Sequence, residues 1–101
     1  IRAEEINDLI EKKEYVQAVK IADTIDWRRV RSVVMLCKIS ELYNINRSYE
    51  DSKEVLLLAY ELQGNSRKII YSLCELSIKL DETVQAVEYY KEFIKVADIL
   101  V

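Results

Sequence analysis

The chain has 101 residues, half of them hydrophobic, and its 15 basic and 18 acidic side chains give a net charge of −3. This balance excludes a general attraction to nucleic acid or anionic lipid, so binding of either would need a local patch. The lack of histidine removes the side chain best suited to proton transfer near neutral pH. With no proline and one glycine, the chain has little material for hairpin turns and is predicted to be all-α.

The two cysteines, Cys37 and Cys74, fit neither a CxxC pair nor a zinc spacing. They are predicted to be reduced core thiols in a cytoplasmic protein without cofactor or metal. No apolar run approaches the roughly 20 residues that cross a bilayer, so the protein is expected to be soluble. Because the chain opens on an isoleucine and finishes on the apolar "ADILV", we expect it to be a fragment of a longer protein.

The first half of the chain predicts three helices. Helical periodicity marks "RAEEINDLIEK" and "YVQAVKIADTI" as two short amphipathic helices joined around residues 12–14. Asp26 is a favourable N-cap for the next segment, "WRRVRSVVMLCKISELYN". A third helix is therefore predicted from this cap to about Asn44.

The second half predicts three more. "NINRS" breaks the chain, and Ser48 with Asp51 resembles a capping box ahead of "SKEVLLLAYELQ". Gly64 is expected to end that helix in the left-handed conformation. The fifth helix is "SRKIIYSLCELSIKL", and Asp81 is predicted to cap the sixth, "TVQAVEYYKEFIKVA". Six helices with short turns form three antiparallel hairpins.

A helical phrase repeats along the chain. "VQAV" at residues 16–19 returns unchanged at residues 84–87, which is 68 or twice 34 residues later, and "SYEDSKEVLLLA" is a weaker copy halfway between. Within these copies Ala18, Ser52 and Ala86 are all small, which would let two helices approach closely. The period predicts one domain with approximate repeats at 1–32, 33–66 and 67–101. Chance similarity between amphipathic helices is the alternative.

The segment "LCKISELY", from Leu36 to Tyr43, is similar to the L-G-x-x-Y core of the tetratricopeptide repeat (TPR), and Ala59 also fits that family's pattern. The resemblance spans nearly the whole chain, although Ile6 and Ser77 replace a small and an aromatic residue of the pattern. It implies a right-handed α-solenoid of three antiparallel helical hairpins. It also implies a protein–protein interaction scaffold rather than an enzyme.

In TPR domains the first helix of each hairpin lines a concave groove that receives an extended or helical peptide. The resemblance places in this groove Asn7, Cys37, Lys38, Glu41, Asn44, Lys68, Tyr71, Ser72, Glu75 and Ile78. The lysine and asparagine pairs with which some TPR domains hold a terminal carboxylate are missing. Because Glu41 and Glu75 would face inward, a neutral or basic peptide anchored on Tyr71 is the expected partner. The alternative is a solvated helix face without a ligand.

Other readings of the sequence are weaker. Paired acids such as Glu4 with Glu5 stand at helix starts, where the helix dipole favours negative charge, so they do not indicate catalysis. "WRRVR" at residues 27–31 is the most cationic stretch, but three arginines in an acidic chain make a weak nucleic-acid footprint. Trp27 is expected to pack against the preceding hairpin, and most of the tyrosines, including Tyr90, to be packed. The apolar chain ends also allow self-association, as an accessory or oligomerisation segment of a larger enzyme or regulator.

Overall fold

The computed structural model describes residues 2–100, and side chains for residues 2–96. The described chain forms six α-helices and no strand, which confirms the prediction of an all-α fold. The helices are α1 Arg2–Glu11, α2 Tyr15–Ala22, α3 Val33–Ile45, α4 Tyr49–Leu62, α5 Arg67–Lys79 and α6 Thr83–Leu100. They pair in chain order into three hairpins, α1 with α2, α3 with α4, and α5 with α6.

Each hairpin closes with the same backbone turn, at a spacing of 34 residues. Lys13, Arg47 and Asp81 are left-handed, with φ of 62°, 63° and 59°. In every case the left-handed residue donates its N–H to the carbonyl three residues earlier, and the next residue donates to the carbonyl five residues earlier at 2.8 Å. These two bonds satisfy carbonyls at the end of the first helix and define a Schellman turn. The repeat seen in the sequence is therefore also a repeat of backbone geometry.

The two helices of a hairpin meet at small residues. Ala18, Ser52 and Ala86 are all buried, as expected. In the middle hairpin Ser52 Oγ donates to the carbonyl of Ser40 at 2.6 Å, while Ser40 Oγ donates to the carbonyl of Ser52 at 2.9 Å. In the third hairpin the equivalent bond runs from Cys74 Sγ to the carbonyl of Ala86 at 3.3 Å. Large side chains at this contact would separate the helices.

The connection between the first and second hairpins differs from the prediction. Asp26 caps a 3-10 turn, Trp27–Arg29, and not the third α-helix. The chain is extended at Val30, and α3 begins only at Val33, where Ser32 Oγ accepts a hydrogen bond from the N–H of Met35 at 3.2 Å. The spacing of the valines predicts a continuous helix through this segment. However, β-branched residues form helix poorly and Ser32 is a strong N-cap, so the helix begins after Ser32.

Three predicted turn signals have other roles. Ser48 stands at the N-cap of α4 without a capping bond, because its Oγ accepts from Asn46 Nδ2 at 3.1 Å. Gly64 is not left-handed, and α4 ends at Leu62 with Gln63 as its C-cap. Asp81 is the left-handed residue of the third turn and not the cap of α6. The sequence pattern predicts the left-handed position at Gly64 and a capping role for Asp81, whereas the hairpin geometry places a left-handed position at Asp81.

Specific polar contacts join the second hairpin to the third. Lys53 is buried, and its ammonium donates to the carboxylate of Glu82 and the amide oxygen of Gln85. Near the other end of α4, Tyr60 donates its hydroxyl hydrogen to the carboxylate of Glu92, 2.7 Å away, and its ring meets that of Tyr89 edge to face. These contacts hold α6 in register on α4.

The left-handed turns make a prediction that adjacent lysines can test. Lys13 is left-handed and Lys12 is not, and both are exposed. Glycine removes the steric energy of the left-handed backbone only at residue 13. It raises the conformational entropy of the unfolded chain at both positions. The free energy of unfolding of Lys13→Gly should therefore be about 1 kcal/mol higher than that of Lys12→Gly. Urea denaturation followed by circular dichroism measures both, and equal stabilities would contradict the turn geometry.

The contact between Tyr60 and Glu92 predicts a loss of stability in alkali. The hydrogen bond to the Glu92 carboxylate, together with burial, raises the pKa of Tyr60 to about 12. The folded state therefore holds this proton more tightly than the unfolded state, so the free energy of unfolding should fall as pH rises from about 10 to about 12.

In Glu92→Gln the decline should be smaller, because the carboxylate that raises the pKa is gone. Urea unfolding across this pH range, with tyrosinate absorbance on the same samples, measures the effect. A steeper decline in the variant would contradict the assignment.

Candidate functional site

A groove of about 630 Å³ lies between α3 and α5, with α4 contributing to its floor. Seven of the ten residues expected in the groove line it together: Cys37, Lys38, Glu41, Asn44, Lys68, Ser72 and Glu75. The floor carries buried apolar side chains, namely Leu56, Ile69 and Leu76. The groove thus combines an apolar floor with a charged rim.

Two lysines at this rim are held by residues of the neighbouring hairpin. Lys38 Nζ donates to Asn7 Oδ1 at 3.1 Å, and Lys79 Nζ donates to Asn44 Oδ1 at 3.0 Å. The Lys79 ammonium also lies 5.0 Å from the centre of the Tyr49 ring, within the range of a cation–π contact. Both ammonium groups therefore already have partners within the protein.

The rim carboxylates differ from these lysines. Glu41 and Glu75 are exposed on α3 and α5. Among the described side chains neither has an ion-pair partner. Lys68 stands on the α5 wall of the same groove. The rim therefore carries two carboxylates and three ammonium groups, since a hydrogen bond to a neutral amide leaves Lys38 and Lys79 charged.

Asn7, Tyr71 and Ile78 do not line the groove. Asn7 contacts it indirectly, through the bond from Lys38. Tyr71 is half exposed and packs against Phe93 of α6, with ring centres 5.5 Å apart. On α5 the groove residues Lys68, Ser72 and Glu75 form one helical stripe, whereas Tyr71 belongs to the next stripe with Ile78.

The sequence interpretation missed Lys79, which lines the groove at the end of α5. A usable signal existed, because Lys79 continues the stripe of Lys68, Ser72 and Glu75 at helical spacing. The groove face expected on α5 combined this stripe with the stripe of Tyr71 and Ile78. No sequence pattern shows which side of the first helix in a hairpin is covered by the next hairpin.

The cationic stretch is partly neutralised. Arg28 donates to both carboxylate oxygens of Asp26, at 3.0 and 3.2 Å, and this pairing lowers the pKa of Asp26. Trp27 is buried, and its indole N–H donates to the carbonyl of Ala22 at 3.0 Å. Trp27 thus packs on the first hairpin as expected, and its ring is not offered to a nucleic-acid base.

Within residues 2–100, no helix has the length and apolar character that a bilayer crossing requires. The described side chains also form no group of three or more potential metal-ligating residues.

The two thiols give a direct test of groove geometry. Cys37 is partly exposed in the groove, whereas Cys74 is buried and bonded to the Ala86 carbonyl. We expect N-ethylmaleimide to label Cys37 first, and Cys74 only when the protein unfolds. Burial raises the pKa of the Cys37 thiol, so labelling should be slow at neutral pH and faster in mild alkali.

Mass spectrometry of the labelled peptides identifies the order, and Cys37→Ser provides the control for Cys74. Faster labelling of Cys74 in the native protein would contradict the packing of the third hairpin.

No protein-family model and no curated protein sequence match the chain. Solved structures do match, among them the MamA RS-1 ArsTM double mutant, with a TM-score of 0.80 and 14% identity. The match covers 98% of this chain and 56% of the MamA chain, so the present chain spans about half of that protein's length. MamA is a TPR-like protein. At this identity the likeness concerns the fold alone, and the fold is that of a TPR-like helical repeat.

Proposed function

We propose that the chain is a non-catalytic protein–protein interaction scaffold that binds a polypeptide segment in the groove between α3 and α5. The observation that carries the proposal is the pair of exposed carboxylates, Glu41 and Glu75, above an apolar floor. Such a groove offers burial for apolar side chains and charge at its rim, which is how helical-repeat grooves recognise peptides.

The expected ligand is a neutral or basic peptide. Lys38 and Lys79 are each held by one hydrogen bond, to Asn7 and Asn44, which directs their ammonium groups toward the neighbouring hairpin. Glu41 has no ion-pair partner among the described side chains. A lysine or arginine of the peptide can therefore pair with it at low cost, and the pairing would contribute to orientation and specificity more than to affinity.

The open ends are the second candidate surface, in keeping with an accessory or oligomerisation segment of a larger enzyme or regulator. Large apolar residues stand exposed at the end formed by α5 and α6, including Tyr71, Tyr90 and Ile94. Nucleic-acid binding has less support, because Arg28 is paired with Asp26. A cytoplasmic location agrees with the free thiols Cys37 and Cys74.

The groove can be tested with a displayed peptide library. Selection on the wild-type protein should enrich neutral or basic peptides, and a synthetic copy of an enriched peptide should slow the labelling of Cys37. Glu41→Lys should weaken binding of a basic peptide about tenfold or more, because it replaces attraction by repulsion. Titration of the fluorescently labelled peptide measures the affinity.

Glu61→Lys is the matched control, since Glu61 is exposed on α4, does not line the groove and gives the same change in net charge. It should leave the affinity unchanged. Equal losses of affinity in both variants would show that the change in net charge, and not a contact with Glu41, weakens binding. Failure to enrich any peptide that protects Cys37 would remove the groove as the binding site.

A further inference from the structure

Five large side chains form an exposed apolar surface at the end of the molecule made by α5 and α6. They are Tyr71 and Ile78 from α5 and Val87, Tyr90 and Ile94 from α6, with exposed fractions between 41% and 62%. We call this surface the C-terminal end face. A monomeric protein seldom exposes so many large apolar side chains together without a use for them.

The 34-residue register shows what this face corresponds to. The equivalent positions in the second hairpin are Cys37, Asn44, Lys53, Leu56 and Tyr60. The third hairpin contacts three of them directly, because Asn44 accepts from Lys79, Lys53 donates to Glu82, and Tyr60 donates to Glu92. Cys37 and Leu56 line the groove that α5 walls. The C-terminal end face is therefore the side of a hairpin on which another helical layer packs.

The opposite end of a second copy does not fit this face. The third hairpin covers the second with Leu73 and Leu76, which are buried, and 68 residues earlier these positions hold Glu5 and Asp8. Both carboxylates are exposed. Stacking one copy head to tail on the next would bury them against tyrosine and isoleucine, and unpaired buried charge is strongly unfavourable.

The same face of a second copy does fit, because its charges are arranged symmetrically. On α5, Arg67 lies one helical turn before Tyr71 and Glu75 lies one turn after it, and both are exposed. If two α5 helices meet antiparallel about a two-fold axis at Tyr71, Arg67 of each copy faces Glu75 of the other. Isologous interfaces require this kind of self-complementarity.

Helix α6 adds apolar residues to this face and no charge pair. Glu88 and Lys95 are exposed but share a helical stripe with Val84, outside the face. Phe93 contacts the Tyr71 ring and lies 4.8 Å below the Arg67 guanidinium, which places this part of α6 beside Tyr71. The charge pair of α5 therefore sets the position of the two-fold axis, and α6 contributes Val87, Tyr90 and Ile94 to the apolar contact.

We propose that two copies of the chain associate through their C-terminal end faces, about a two-fold axis close to Tyr71. This inference extends the proposed scaffold function from the groove to the open end. Two adjacent helices about 20 Å long and about 10 Å apart present several hundred Å² per copy, at the lower end of the roughly 800 Å² of a standard interface. An interface of this size is typical of a reversible association, so the dimer is sought over a range of protein concentrations.

Sedimentation equilibrium from low to high micromolar concentration tests the association. The wild type should convert from monomer to dimer, and Ile94→Glu should remain monomeric, because each dimer would bury two additional carboxylates. Val84→Glu is the matched control, since Val84 is exposed on α6 outside the face. Circular dichroism confirms that each variant is folded. A wild type that stays monomeric throughout would overturn the proposal.

The two-fold geometry has its own test. Arg67→Glu and Glu75→Arg should each weaken the dimer about tenfold or more, since each places like charges in contact, and the double variant should recover most of the affinity. These residues are eight apart on one helix, so recovery reports a contact between copies. A dimer insensitive to both changes but broken by Glu5→Lys would be head to tail, and would overturn the proposal.

The groove and the end face share Glu75, so their tests use Glu41 and Ile94, each of which belongs to one surface only. Glu41→Lys should weaken binding of the selected basic peptide and leave the dimer intact, whereas Ile94→Glu should abolish the dimer and leave peptide binding intact. Loss of both properties in Ile94→Glu would overturn the assignment of the dimer to a separate surface.

Discussion

The structure depends on the close crossing of two helices within each hairpin. Ser40 and Ser52 exchange hydrogen bonds with each other's carbonyls, and Ala18 and Ala86 occupy the position of Ser52 in the other hairpins. A Schellman turn with a left-handed residue such as Arg47 sets the angle at which the chain returns. Neither hairpin helix can bury its apolar face alone, so the repeated crossing presents the next hairpin with an equivalent surface and the stack follows.

Stacking makes the two sides of each first helix unequal. Cys37 and Asn44 lie on the side of α3 that faces the third hairpin, and they form one wall of the groove. Lys68 and Ser72 form the other wall. The position equivalent to Cys37 on α5 is Tyr71, whose stripe meets no further hairpin within the described chain. The same helical position is thus a groove wall in the middle of the stack and an exposed surface at its end.

The comparison with MamA separates fold from function. A TM-score of 0.80 at 14% identity means that the backbone arrangement tolerates almost complete replacement of the side chains. Packing constrains buried positions such as Leu36, Ser52 and Ala59, whereas the exposed groove residues Glu41 and Lys68 are not constrained in this way. In the proposed function the specificity would rest on these exposed residues, which the fold positions but does not dictate.

The sequence by itself determined the helical class, the six helices and the 34-residue period, because apolar spacing and small residues such as Ala18 are local features of the chain. It did not determine where α3 begins, since Val30 and Val33 continue the apolar period through a 3-10 turn and an extended segment. Only the tertiary structure decided that Tyr71 faces the open end and Lys79 the groove, because the packing of one hairpin on the next selects the face of each helix that is covered.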